Sequence, residues 1–411
     1  MIAALAIFVL TYVVLAGARL PGLKLDRPGA ALACAVAMVF CKVLTPTQVY
    51  FEAISWDTLG LLLGMMIVCS AMEQAWLFGW VAHAALKRAH GRRTLLAAVV
   101  SVVGLLSALL VNDTVCVMCT PLVLAIVEAA ELPALPYLLG ICFAANAGSV
   151  ATLTGNPQNM LIGTLSHISY GRFAAALILP ALLSLACVLA VLLVAFRREL
   201  RGPPLVSKDV PPPKVRRSSA ILCLAVLTLI LGGFLLGYSL AWTALFGAAL
   251  LAIFSRVPPR DLLGRVDGSL LLFFAGLFVV THGVAQAGIA ERIHAGLAPF
   301  FGTTAGQQVF RFGLFTVAAC QLVSNVPFVL LAAEWVPKLT DPQLQWLALA
   351  LVSTLAGNLT PVASVANLIV LESAGEKGRI GFWRFLSVGA FCTFLPLVLA
   401  LVCLLAESHL K

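Results

Sequence analysis

Charge is scarce in this chain. Only 10% of its 411 residues are Asp, Glu, Lys or Arg, against 62% that are hydrophobic, and the mean hydropathy is +1.06. A water-soluble fold cannot cover that much apolar surface, so a soluble catalytic domain is excluded. Patterns for membrane-embedded catalysis are also lacking: there is no H-E-x-x-H and no Ser/His/Asp grouping, and the expectation is a protein that is not an enzyme and carries no cofactor. Paired cysteine motifs are missing too. The eleven cysteines form an odd set lying in apolar runs, Cys69, Cys142, Cys187, Cys223, Cys392 and Cys403 among them, and read as small buried hydrophobes. Cys116 and Cys119 have C-x-x-C spacing, but no second pair completes a metal set, so they too read as packing.

What the chain has instead is a succession of apolar runs of about 20 residues, the length that crosses a hydrocarbon core. The expected fold is an all-α polytopic membrane protein in the lipid bilayer. The few charges then report topology. With the N-terminus assigned outside, the loops placed inside hold Arg19, Lys24, Arg27, Lys87, Arg88, Arg92, Arg93, seven residues from Arg197 to Arg217, Arg256, Arg260, Arg265, Lys377, Arg379 and Arg384, which is 20 of the 26 Lys and Arg. Lys42, Arg172, Arg292, Arg311, Lys338 and Lys411 fall outside. The net charge of +9 is therefore a positive-inside signature rather than a nucleic-acid surface. The C-terminus falls outside as well, and the expected location is the cytoplasmic membrane.

The basic, Pro-rich stretch 197–217, "RRELRGPPLVSKDVPPPKVRR", reads as an inside linker between two halves, 1–196 and 218–411. The halves resemble each other: Asp57 pairs with Asp267, Asn112 with Asn325, Asn159 with Asn367 and Arg172 with Arg384, at offsets of 210, 213, 208 and 212. About five spans per half, an odd number, make the second half an inverted copy of the first. Inverted repeats with interrupted helices are the pattern of secondary transporters, whose sites lie near the midplane at the repeat interface.

Each half has two polar interruptions. "SVVGLLSALLVNDTVCVMCTPLVLAI" reads as a re-entrant helical hairpin with its tip near 112–114, and "QVFRFGLFTVAACQLVSNVPFVLLAAEW" as its counterpart with a tip near 324–327. "NAGSVATLTGNPQNMLIG" reads as a broken helix interrupted near 152–159, matched by a break near 358–367. Unpaired backbone at membrane depth is tolerated only where protein or a wet cavity surrounds it, so two tips and two breaks should converge on a binding site. Asp113 is the single carboxylate this reading puts deep in the core, and an intramembrane acid is costly unless paired, ion-bound or protonated. It is the candidate coupling residue, for a proton or for sodium. Asn112, Thr114, Thr152, Thr154, Asn156 and Asn159, with Ser324, Asn325, Thr360, Ser364 and Asn367, would supply neutral oxygens and amides. Carbonyls freed at Gly155 and Val362 suit a hard cation, with a sodium ion at Asn112, Asp113, Gly155 and Asn156 as the candidate metal.

Other features read more plainly. His282 reads as a membrane histidine satisfied by a neighbouring helix, and Glu73 and Glu334 as interfacial residues beside Trp. Gly60 with Gly64 and Gly233 with Gly237 have the G-x-x-x-G spacing of close helix packing. "FGWVAHAALKRAHGRR" reads as an amphipathic helix on the inner surface.

"VNDTVCVMCTP" with "NAGSVATLTGNPQNMLIG", and "SNVPFVLL" with "TLAGNLTPVASVANLIV", resemble the ion transporter superfamily over most of the chain. Within it the chain looks most like the branch of arsenite efflux pumps, D-type sodium/proton antiporters, the human P protein of melanosomes and citrate-transporter-like permeases. The resemblance implies an outer scaffold, a moving transport core of hairpins and broken helices, and a homodimer formed through the scaffold. Where the dicarboxylate branch has Ser-Asn-Thr at the first tip, this chain has Asn112-Asp113-Thr114, which adds a negative charge. No Lys or Arg is expected in the core. Together these favour cation-coupled transport of a small inorganic or organic anion or its neutral acid, such as arsenite, by an elevator-type movement. A sodium/proton antiporter and a dicarboxylate or citrate symporter are the alternatives, and a channel is the reading from a different class, which would share the broken helices but not need a single titratable acid at a hairpin tip.

Overall fold

The computed structural model describes residues 1–15, 26–86, 88–202 and 215–409. Arg19, Lys24, Lys87, Lys208, Lys214 and Lys411, and with them residues 203–214 of the expected linker, lie outside the described residues. Among those described there are helices and no strands. Seven helices among the described residues are long and apolar enough to cross a membrane, and four shorter apolar helices accompany them.

Among the described residues, eighteen helices of nine residues or more organise the fold. In the first half they are α1 (Ile2–Leu15), α2 (Arg27–Phe40), α3 (Trp56–Gln74), α4 (Leu77–Leu86), α5 (Arg92–Leu109), α6 (Asn112–Ala129), α7 (Leu135–Ser149), α8 (Pro157–Ser166) and α9 (Tyr170–Ala195). In the second they are α10 (Arg217–Leu235), α11 (Leu240–Phe254), α12 (Gly268–Gln286), α13 (Ile289–Phe301), α14 (Ala305–Val323), α15 (Asn325–Ala333), α16 (Pro342–Ala356), α17 (Val365–Ser373) and α18 (Phe382–His409). The order is the same twice: three apolar helices, one short helix, two helices joined at a tight turn, a helix with a gap in it, and one long helix.

Short polar side chains set where these helices begin. Ser55, Asn156, Ser169, Ser239, Asp267, Thr304 and Asp341 each accept a hydrogen bond from the backbone N–H three residues on, satisfying donors that lipid could not. Leu110 and Val111, both extended, turn the chain between α5 and α6. Ser324 turns it between α14 and α15 at φ 70°, ψ 164°, a region that costs a non-glycine residue roughly 1–3 kcal/mol.

The halves interlock rather than sit side by side. A Cβ on Gly64 of α3 would lie 2.7 Å from the Ala244 carbonyl carbon of α11, and one on Gly276 of α12 would lie 2.7 Å from that of Ala31 in α2. Small residues thus let α3 press on α11 and α12 on α2, the close packing expected at Gly60 and Gly64. Gly233 does the same against Thr243, but Gly237 has φ +84° and nothing near it, so it serves a turn.

The glycine contacts also correct the alignment of this region. Gly64 with Gly276, and the capping residues Ser55 with Asp267, give an offset of 212, so the counterpart of Asp267 is Ser55 and not Asp57. The two acids look alike in sequence, yet only Asp267 caps its helix.

Ion pairs form two separate groups. Arg265–Glu73 (2.7 Å), Arg384–Glu199 (3.7 Å) and Lys377–Glu128 join loops assigned to one side. Lys338–Glu291 (3.1 Å) joins segments assigned to the other, where His282 Nε2 also lies 3.7 Å from Glu52 Oε2. His282 therefore faces a carboxylate at a membrane edge.

Candidate functional site

The two gaps are broken helices whose backbones are braced from within. In the first, the chain leaves α7 after Ser149 and re-enters helix at Pro157. Asn159 reaches back and donates its amide to the carbonyls of Ser149 and Thr152, both at 3.0 Å. In the second, Asn367 donates to the carbonyls of Gly357 (2.6 Å) and Thr360 (3.2 Å). Each asparagine thus spans back ten and seven residues, and a shift of 208 carries one brace onto the other.

The same shift relates the bonds between the halves. Asn156 Nδ2 donates to Thr354 Oγ1 at 3.3 Å, and its counterpart Ser364 Oγ donates to Asn146 Oδ1, the counterpart of Thr354, at 3.0 Å. Asn146 Nδ2 also donates to Asn358 Oδ1 at 2.9 Å, so the breaks join in one buried amide and hydroxyl network. Asn146, Thr354, Gln158 and Asn358 were missed as functional candidates by sequence reasoning. The offset of 208 pairs the first two, Asn146 and Thr354, with each other, but only their bonds to Ser364 and Asn156 tie them to the breaks.

Each hairpin tip is fastened to the break of its own half. Thr152 Oγ1 donates to the Ala108 carbonyl (2.5 Å) and the Asn112 N–H to the Gly155 carbonyl (2.9 Å). The Gly155 carbonyl, expected to be free for a cation, is therefore already an acceptor. Gly155 itself is dictated by space, since a Cβ there would lie 2.2 Å from the Ser149 oxygen. On the other side Thr360 Oγ1 donates to Gln321 Oε1 (2.8 Å) and Ser324 Oγ to the Ala363 carbonyl (3.3 Å). At the tips, Asn112 and Asn325 each accept a bond from the next residue's N–H at 2.9 Å.

These elements surround a cavity of about 350 Å³, within the usual range of small-molecule sites. Asn112, Asp113, Ser324, Asn325 and Ser364 line it, as the sequence suggested, joined by Gln158. Thr152, Thr154, Gly155, Asn156, Asn159, Thr360 and Asn367 do not reach its wall and belong to the bracing; Thr154 faces the Tyr170 hydroxyl at 3.4 Å. Thr114 turns away from the cavity toward Cys69 of α3. Asn159 keeps one buried acceptor, Oδ1, without a partner among the described residues.

Four helices present their N-termini to the cavity: α6 at Asn112, α8 at Pro157, α15 at Asn325 and α17 at Val365. Each end carries about half a positive charge, and at α6, α8 and α15 one first-turn N–H is already held by a side-chain cap. The Asp113 side chain lies in their midst, and among the described residues no basic group pairs with it.

The structure corrects two expectations about charge. Arg27 of α2 lines the cavity, so the site is not free of basic residues, and Asp113 is not its single carboxylate, because Asp267 and Glu372 line it too. Asp267 and Glu372 are exposed and Arg27 half-buried, which places the opening at their end. Arg27 was overlooked because it closes a basic loop whose charges sequence reasoning assigned to topology.

Against known proteins, the profile of the citrate transporter family matches residues 7–356. An uncharacterized transporter of Mycobacterium tuberculosis is 31% identical, with 98% of this chain and 97% of the relative covered. The silicon efflux transporter of Oryza sativa subsp. japonica is 30% identical, with 90% of each covered. Among solved structures, the YdaH transporter of Alcanivorax borkumensis shares the fold at a TM-score of 0.62 and 17% identity, with 98% of this chain and 97% of that one covered. The chain is a multi-pass membrane transport protein, and it belongs to the citrate transporter family.

Proposed function

We propose that this chain is a cation-coupled secondary transporter of a small inorganic or organic anion or its neutral acid, an uncharged oxyacid such as arsenite being the reading the site favours. The observation that carries the proposal is the meeting of four helix N-termini around one intramembrane carboxylate. The N-termini offer N–H groups and positive potential to the oxygens of a substrate. Asp113 supplies the group that takes up a proton or holds sodium, so loading it with a cation removes the charge that would repel those oxygens. Coupling follows from that shared space. A silicon efflux transporter among the relatives supports a weak oxyacid, and Arg27 is the feature that favours the citrate alternative.

The two halves act as inverted repeats, in keeping with the matched braces and cross-half bonds. In an elevator-type cycle the hairpins and broken helices move against α1–α3 and α10–α12. On the positive-inside assignment the present cavity opens to the cytoplasm, both termini lie outside, and two copies associate through the scaffold in the cytoplasmic membrane.

The test is uptake into everted vesicles under an imposed pH or sodium gradient, with arsenite, silicic acid and citrate compared side by side. Gradient-driven uptake of arsenite or silicic acid supports the proposal. Uptake of citrate alone would replace it with the symporter reading, and sodium exchange without solute flux with the antiporter.

A further inference from the structure

One wall of the open cavity has a counterpart that is shut. On the α12 side the cavity is lined by Asp267, Ser269, Leu270 and Phe273, and facing them on α17 are Leu368, Ile369 and Glu372. The offset of 212 carries the first set onto Ser55, Asp57, Thr58 and Leu61 of α3. The offset of 208 carries the second onto Met160, Leu161 and Thr164 of α8.

In that second place the helices touch. Thr58 Oγ1 and Thr164 Oγ1 are 2.7 Å apart, the counterparts of Leu270 and Glu372 on the cavity wall. Thr164 also donates to the Leu161 carbonyl at 2.9 Å, and Ser55 Oγ lies 2.8 Å from Thr58 Oγ1. Because the single Thr164 proton goes to Leu161, Thr58 donates to Thr164 and Ser55 to Thr58. The result is a directed chain of hydroxyls from Ser55 to the Leu161 carbonyl. Behind it Thr58, Leu61, Met160 and Leu161 are completely buried.

We infer that the Ser55–Thr58–Thr164 contact is the closed gate of the second access path, and that the path opens by parting α3 from α8 along it while α12 closes on α17. The inference rests on the alternating-access reading above and adds the residues that make and break. Three hydroxyls suit the task. They seal two helices together while dry, and each can exchange its partner for water when the helices part, so neither state leaves a buried group unpaired. The two paths also differ in charge. The open one carries Asp267 and Glu372, whose counterparts in the closed one are Ser55 and Thr164, while Asp57 stands where the open one has Ser269, so the open wall presents two carboxylates and the closed one a single carboxylate.

The test uses the full chain with the exposed Cys41 replaced by serine. Thr58→Cys with Thr164→Cys should cross-link under mild oxidation, because sulfurs in place of two oxygens 2.7 Å apart come within disulfide reach. The cross-link should abolish gradient-driven flux of arsenite or citrate, and a reductant should restore it. In a separate protein, Leu161→Cys should react with a membrane-impermeant maleimide from the face opposite the open cavity, although its side chain is buried in the present state. This labelling reads the gate without any substrate, so it separates failure of the inference from a wrong substrate assignment. Undiminished flux with the cross-link formed, no cross-link under oxidation, or no labelling of Leu161→Cys from the opposite face would each overturn the gate.

Discussion

Asn159→Asp separates bracing from ligation at the first break. The change is nearly isosteric, but it replaces the amide donor with a second acceptor. The bonds to the Ser149 and Thr152 carbonyls, both 3.0 Å, are lost, and the carboxylate oxygen faces two carbonyl oxygens in a site with no exposure. The Ser149 and Thr152 carbonyls each keep a second donor, from Asn156 Nδ2 (3.4 Å) and from the Gly155 N–H (3.3 Å), so the loss is that of two net hydrogen bonds at about 0.5–1.5 kcal/mol each, roughly 1–3 kcal/mol. Asn367→Asp should cost a similar amount, since its bonds to Gly357 and Thr360 are the counterparts. Asp113→Asn should cost little by comparison, because its carboxylate has no pairing partner among the described residues to lose. The assay is thermal inactivation in detergent, followed by fluorescence-detected size exclusion, with and without sodium. The account requires both asparagine variants to fall well below the parent while Asp113→Asn stays near it. If Asn159→Asp were as stable as the parent, and gained further stability from sodium, the free Oδ1 would be an ion ligand and the bracing argument would be refuted.

Gly155→Ala should abolish folded expression, since its Cβ would sit 2.2 Å from the Ser149 backbone oxygen, whereas Gly232→Ala, with nothing within 4 Å, should leave expression unchanged on the same columns. Ser324→Gly should raise thermal stability by about 1 kcal/mol through relief of its φ of 70°, and a loss would show that the hydroxyl bond to Ala363 outweighs the strain. Arg27→Gln should raise the KM for citrate tenfold or more and leave that for arsenite unchanged in vesicle uptake, because a guanidinium lining the cavity acts on charged solutes. Lys377→Ala should shift thermal stability by no more than about 1 kcal/mol, as expected of an ion pair with both partners about half exposed.

Much of the architecture was legible because hydrocarbon is unforgiving of polar groups. Asn112-Asp113-Thr114 and the run from Thr152 to Asn159 can only interrupt apolar helices, so tips and breaks announced themselves. What those residues do was less legible. Asn159 and Asn367 read as ligands, because a polar side chain at membrane depth looks the same whether it holds an ion or its own backbone. Only the reach back to residues 149 and 152 distinguishes the two. Arg27 and Glu372 were hidden for a different reason: both lie at helix ends, where charge is ordinary, and only the folding of α2 and α17 around one cavity gives them a site. The slip between Asp57 and Asp267 came from matching residue type where the physical match is helix capping, shared by Ser55 and Asp267.

The central claim is that Asp113 couples a cation to the substrate, and proteoliposomes test it most directly. Proton and labelled sodium movements would be recorded alongside solute flux for the parent and for Asp113→Asn. The account predicts that the parent moves one of the two cations with its solute, and that the variant still exchanges solute down its gradient with no cation movement. Cation flux of undiminished size in Asp113→Asn would contradict it and shift coupling to Asp267 or Glu372 at the cavity mouth.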